Sequence, residues 1–159
     1  RVLFRISGKK IYIATMAAAG FEARERIERH KKQREGKGFF TIEKERNLEE
    51  ILKDEKKDFS SATALLECMS NLLANEMFSS ESQKNDESFY IEKIVFQVKA
   101  LAAVFKNLVI VSNNVFEDGL EYDPLTKKYM RLLATLNSKI AAFSDRVFEI
   151  IAGIPVKLK

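Results

Sequence analysis

ATALLEC (residues 62–68) is the stretch on which the fold reading turns. It is an apolar run that closes on a single acid. It lacks the polar–apolar alternation of a half-solvated strand and suits a strand buried on both faces, as in a parallel sheet. NLLANEMF (71–78) follows almost at once and is helical in type. Upstream, KIYIATM (10–16) is short, β-branched and apolar and predicts a second buried strand. FFTIE (39–43), after the breaks at Gly36 and Gly38, is a short strand candidate, and LVIVSN (108–113) predicts another buried strand with a polar C-terminal end.

Helical patterns fill the spaces between these runs. Residues 21–35 are dense in charge and in helix formers and predict an exposed helix, and 48–54 a helical turn or two. Residues 89–105 set Ile91, Ile94, Val95, Val98, Leu101, Ala102 and Phe105 along one helical face. Residues 124–146 do the same with Tyr129, Leu132, Leu133, Leu136, Ile140 and Phe143, with Pro124 in the first turn. Residues 79–88 read as a polar loop, Asp118-Gly119 as a turn, and 147–159 as one strand and a short second one. Strands alternating with helices predict an α/β fold with a mostly parallel sheet, in a single domain over residues 1–159. In such sheets ligands bind beyond the carboxyl ends of the strands. The polar residues there are Thr15, Glu67, Asn113 and Asn114.

Composition narrows the classes. With 46% apolar and 31% charged residues in 159, the chain is typical of a soluble globular domain with a sizeable core. The net charge of +4 is spread along the sequence, so it suits an anionic ligand without demanding nucleic acid. No run reaches the ~18 apolar residues of a membrane span, and no signal peptide is visible. A single cysteine, Cys68, excludes an internal disulfide and predicts a reducing cytoplasm. The chain begins at Arg1 without an initiator Met and runs straight into a strand, which predicts an N-terminally incomplete domain. SGKK (7–10) has the ending of a G-x-x-x-x-G-K-[ST] phosphate loop, but a strand rather than a helix follows it, so it reads as a turn.

RIERHKKQRE (26–35) holds the only histidine, His30. One reading is a solvated residue near a basic helix end, favoured by the helix dipole when protonated. The other is a nucleophile or general base. Arg26, Arg29, Lys31, Lys32 and Arg34 surround it, and cations packed about an imidazole disfavour its protonation and can hold a phosphate beside it. A neutral imidazole facing a clamped phosphate can attack phosphorus. Spacing alone identifies no partner acid. Glu67 either binds Mg²⁺, directly or through water, or caps the helix that follows it. Glu43 stands likewise at the end of FFTIE, Thr15 either caps a helix or touches a phosphate or ribose, and Cys68 reads as a small buried apolar residue.

Taken in order, YIATM (12–16), RIERHKKQR (26–34), TIE (41–43), LLECMSNLLANEM (65–77), VIVSNNV (109–115), LNSKIAAFSDRV (136–147) and AGIPVKLK (152–159) resemble the bifunctional adenosylcobinamide kinase / adenosylcobinamide-phosphate guanylyltransferase family. The resemblance covers nearly the whole chain. It implies a P-loop NTPase-like (RecA-like) parallel sheet flanked by helices, a cytoplasmic homotrimer, and two reactions of cobalamin biosynthesis. Adenosylcobinamide is phosphorylated from ATP or GTP. GMP is then transferred from GTP, with Mg²⁺, through a guanylylated histidine to adenosylcobinamide phosphate. That histidine falls on His30. The nucleotide contacts fall on Thr15, Met16, Ala17, Lys31, Lys32, Gln33, Arg34, Glu43 and Glu67, with Glu67 the candidate ligand for Mg²⁺.

The chain departs from the family in three places. The family's first strand and glycine-rich phosphate loop, which precede YIAT by roughly twenty residues, have no counterpart here. Ser112-Asn113-Asn114-Val115-Phe116 stands where the family often has an acid and a glycine, and residues 17–20 lack the acids common there. These departures support an alternative reading, a degenerate, non-catalytic nucleotide-binding or assembly subunit of the same fold.

Overall fold

The computed structural model describes residues 8–18, 20–54, 58–79, 86–116 and 119–159. Ser7, residues 80–85 of the polar loop and Asp118 of the Asp118-Gly119 turn lie outside the described residues.

Strand β1 (Lys10–Ala14) leads to helix α1 (Gly20–Arg34) and strand β2 (Phe39–Glu43). A 3-10 helix, Leu48–Lys53, precedes β3 (Thr63–Glu67) and α2 (Met69–Met77). Then come α3 (Glu87–Val104), β4 (Asn107–Val111), α4 (Pro124–Phe143) and a hairpin of β5 (Phe148–Ile151) and β6 (Ile154–Lys157). The first four strands form one sheet in the order β2-β1-β3-β4, and every pairing in it is parallel. The hairpin forms its own two-stranded antiparallel sheet. This is the α/β fold the sequence predicts, with helix and strand ends shifted by a few residues.

Pleating sends alternate side chains to opposite faces. Ile11 and Ile13 of β1 stand level with Ala64 and Leu66 of β3, and all four are fully buried. They form one core with Leu72 and Leu73 of α2, Ile94, Val98 and Leu101 of α3, and Leu133 and Leu136 of α4. Helices α2, α3 and α4 therefore cover this face. One charged group enters the same layer: Glu76 of α2 is fully buried and accepts a bond from Lys93 Nζ at 2.7 Å. The pairing matters because a buried carboxylate without a cation is strongly destabilising. The opposite face carries Tyr12 and Glu67, and α1 lies on that side. No helix of the described residues is long and apolar enough to cross a membrane.

Asp123 starts α4. Its carboxylate accepts from the Leu125 and Thr126 N–H groups at 2.9 and 3.1 Å and from the Thr126 hydroxyl at 2.6 Å. These bonds satisfy donors that the first helical turn leaves open, and Pro124 has no N–H to satisfy. The Thr126 hydroxyl and N–H chiefly hold the Asp123 carboxyl below its ordinary value. A carboxyl lowered by folding stabilises fully above its ordinary value, and that contribution is lost as the pH falls through the lowered one. Asp123→Ala should therefore melt below wild type at pH 7, and the gap should close in strong acid. Thermal unfolding followed by circular dichroism at both pH values checks this.

Candidate active site

Parallel pairing lines up the carboxyl ends of three strands. Ala14 stands level with Glu43 on one side and Glu67 on the other. Both acids thus sit at the edge of the sheet where ligands bind in open parallel sheets.

The segment after β1 is fastened at this edge. Thr15 is fully buried, and its N–H donates to the Glu67 carbonyl at 3.1 Å. Its hydroxyl donates to the Cys68 carbonyl at 2.7 Å and accepts from the Cys68 N–H at 2.8 Å. Asn75 of α2 adds a clamp: its side-chain amide donates to the carbonyls of Thr15 at 2.7 Å and Glu45 at 3.1 Å. The loops after β1 and β2 are therefore tied to the helix after β3. Thr15 caps no helix, and its hydroxyl is already engaged. Met16 and Ala17 follow it and are half-buried.

Helix α1 returns across the face bearing Tyr12 and Glu67. Almost all of it is exposed, as its composition predicts, but Ile27, His30 and Arg34 are half-buried. Their spacing marks one helical face, turned toward the sheet. His30 and Arg34 are one turn apart, about 6 Å along the axis. Two strand residues span nearly the same length, about 6.6 Å. As α1 runs back along β1, His30 consequently meets Glu67 at the sheet edge, and Arg34 meets Tyr12 further in.

His30 Nδ1 lies 4.0 Å from Glu67 Oε1, with the two side chains 37% and 31% exposed. Glu67 Oε2 accepts from the Tyr12 hydroxyl at 2.9 Å. The Arg34 guanidinium lies 3.7 Å from the centre of the Tyr12 ring, a cation–π stack. Arg34 Nε is buried and has no hydrogen-bond partner among the described residues. Beside this group, Lys31 Nζ bonds Glu43 at 3.1 Å and Glu28 at 3.5 Å. The bond to Glu43 chiefly raises Lys31 above its ordinary value, so it is a firm cation at neutral pH. Burial, and then the Glu67 carboxylate, push the Tyr12 phenol well above its ordinary value, which keeps it a donor.

The structure thus brings together His30, Lys31, Arg34, Glu43 and Glu67. Lys32 and Gln33 are exposed and stand outside this group. Glu67 does not cap α2: the cap residue is Cys68, which makes no side-chain cap bond, and the Glu67 carboxylate is turned to Tyr12 and His30. Tyr12 joins this group although its sequence position did not single it out. Its signal was a polar-tipped aromatic inside an aliphatic strand, where a hydroxyl needs a partner. Asn114 lies apart, bonding Glu149 of β5 at 3.4 Å. The described residues contain no group of three or more His, Cys, Asp or Glu side chains able to hold a metal alone. A Mg²⁺ ion arriving on nucleotide phosphates needs only one or two carboxylates, and Glu67 can offer one.

Comparison with known proteins bears on what this site serves. The model of the cobinamide kinase / cobinamide phosphate guanyltransferase family matches residues 1–158. The chain belongs to this family. A relative in Escherichia coli, the bifunctional adenosylcobalamin biosynthesis protein CobU, is 24% identical over 96% of this chain and 87% of its own. The protein of the same name in Salmonella typhimurium is 25% identical over 94% of this chain and 85% of its own. Members of the cobinamide kinase / guanyltransferase family are enzymes of kinase and nucleotidyltransferase type, and the chain is an enzyme of that type.

Thr15→Val keeps the shape of the side chain and removes the hydroxyl that serves both groups of Cys68. It should lower stability by about 1–3 kcal/mol, the cost of leaving buried polar groups unpaired. Urea unfolding midpoints of the two proteins check it; equal midpoints would show that the Thr15 hydroxyl carries no such role.

Proposed function

We propose that this protein phosphorylates adenosylcobinamide and then transfers GMP from GTP to adenosylcobinamide phosphate, with His30 as the carrier of GMP. The observation that carries the reading is the approach of Glu67 Oε1 to His30 Nδ1 at 4.0 Å. A carboxylate on that side of the ring favours the tautomer with its proton on Nδ1 and leaves the Nε2 electron pair free. The family assignment supplies the substrates for that nucleophile.

In the first transfer, His30 Nε2 attacks the α-phosphorus of GTP, bound as its Mg²⁺ complex. A P–N bond forms, the bond from phosphorus to the bridging oxygen breaks, and pyrophosphate leaves with that electron pair. The imidazolium so formed keeps its Nδ1 proton toward Glu67. In the second transfer, a phosphate oxygen of adenosylcobinamide phosphate attacks the same phosphorus. The P–N bond breaks, its electron pair returns to Nε2, and adenosylcobinamide-GDP is released. Imidazole suits both halves because it is a good nucleophile and a good leaving group.

Negative charge gathers on the α-phosphate and on pyrophosphate in these steps, and fixed cations offset it. Lys31 supplies one such charge and Arg34 a second. The buried Arg34 Nε–H, which has no hydrogen-bond partner among the described residues, is a donor that a phosphate oxygen would satisfy. Thr15, Met16 and Ala17 follow β1 at the same edge of the sheet, and with Lys32 and Gln33 they enter as the remainder of the nucleotide-contacting stretches implied by the family. Glu43 holds Lys31 in place.

Incubation with α-labelled GTP and Mg²⁺ tests the reading. Wild type should retain label after denaturing gel separation, and His30→Ala should retain none above background. A wild type that takes up no label, or a variant that labels equally, would overturn the role of His30.

A further inference from the structure

We propose that Tyr12 is a positioning residue for GMP transfer: it fixes Glu67, and through Glu67 the tautomer of His30. This rests on the reading of His30 as the GMP carrier, but its first test does not.

Glu67 ends β3, and its side chain could adopt several rotamers at the open edge of a sheet. One oxygen is taken by the Tyr12 hydroxyl at 2.9 Å, and the other faces His30 Nδ1 at 4.0 Å. Holding Oε2 in this way fixes where Oε1 points. Tyr12 can do this because it is itself immobile. It is 4% exposed in a strand paired on both sides, and its ring has an edge-on neighbour in Phe39 at 6.2 Å. The arrangement sets a donor, a carboxylate and an imidazole in a row; the first gap is a hydrogen bond, and the second, at 4.0 Å, is an approach that closes to hydrogen-bond length when the site binds its nucleotide. In hydrolytic triads the carboxylate orients the histidine; here one further group orients the carboxylate. The same ring also carries the Arg34 guanidinium, at 3.7 Å from its centre. Tyr12 therefore sets the nucleophile through its hydroxyl and a candidate phosphate cation through its face.

The two roles are separable. Tyr12→Phe removes only the hydroxyl and keeps the face under Arg34, whereas Tyr12→Leu removes both. Because His30 is the only histidine in the chain, imidazole ¹⁵N spectra report on it without ambiguity. In wild-type protein near pH 8 the spectra should show the proton predominantly on Nδ1. In Tyr12→Phe the shifts should move toward the mixed tautomers of a free imidazole, and Glu67→Gln should move them too. The single-turnover rate of GMP uptake should fall about tenfold in Tyr12→Phe, the kinetic equivalent of one lost charge-assisted hydrogen bond. Tyr12→Phe combined with Glu67→Gln should be no slower than Glu67→Gln alone, as expected for groups acting in series. Tyr12→Leu should also raise the KM for GTP.

Wild-type ¹⁵N shifts together with a wild-type uptake rate in Tyr12→Phe would overturn the proposal. So would additive effects in the double variant. If wild type takes up no GMP, the carrier reading of His30 fails, while the ¹⁵N comparison still decides whether Tyr12 governs the imidazole.

Discussion

The parallel register of β1 with its two neighbours is the constraint on which the site depends. Because Ala14 is level with both Glu43 and Glu67, two acids and the chain leaving β1 are delivered to one edge. Antiparallel pairing would send the strand ends to opposite edges and scatter the same residues. The register is fixed by burial. A slip of one residue in β3 would turn Ala64 and Leu66 out of the core and Glu67 into it.

With the edge set, α1 needs only to cross back along the sheet. Its burial pattern is unusual, because among its described side chains those turned inward are Ile27, His30 and Arg34 rather than a run of aliphatics. Such a helix gains little from apolar burial, and its polar contacts to Tyr12, Glu43 and Glu67 locate it instead. Surface ion pairs contribute little to stability, so this layer of the molecule is held by a few directional contacts. That suits a binding cleft, whose cations and carboxylates must find new partners when phosphates arrive. The Thr15–Cys68 and Asn75 bonds keep the strand ends rigid beneath it.

Much of this was legible in the sequence. The apolar runs of β1 and β3 marked buried parallel strands, and Pro124 the first turn of α4; the run of β4 read the same way, but as the edge strand it is only half-buried. His30, Glu43 and Glu67 could be singled out as candidates, at strand ends and in a basic cluster. Their grouping could not, because it depends on β1 lying between β2 and β3, and local pattern does not reveal strand order. The inward stripe of α1 was hidden for a related reason: charge on every side leaves no hydrophobic periodicity to read. Thr15 shows the reverse case. Its position after a strand pointed to a helix cap or to a phosphate or ribose contact, and local pattern could not show that strand pairing brings both backbone groups of Cys68 to its hydroxyl.

The central claim is that one nitrogen, on His30, carries GMP, although Lys31 and Lys32 stand beside it as rival nucleophiles. The most direct measurement is to trap the guanylylated protein after reaction with GTP and Mg²⁺ and to map the modified residue by mass spectrometry with fragmentation that preserves P–N bonds. GMP is expected on His30 alone, lost on transfer when adenosylcobinamide phosphate is added. GMP found on Lys31, Lys32 or Tyr12, or an adduct on His30 that the acceptor does not discharge, would contradict it.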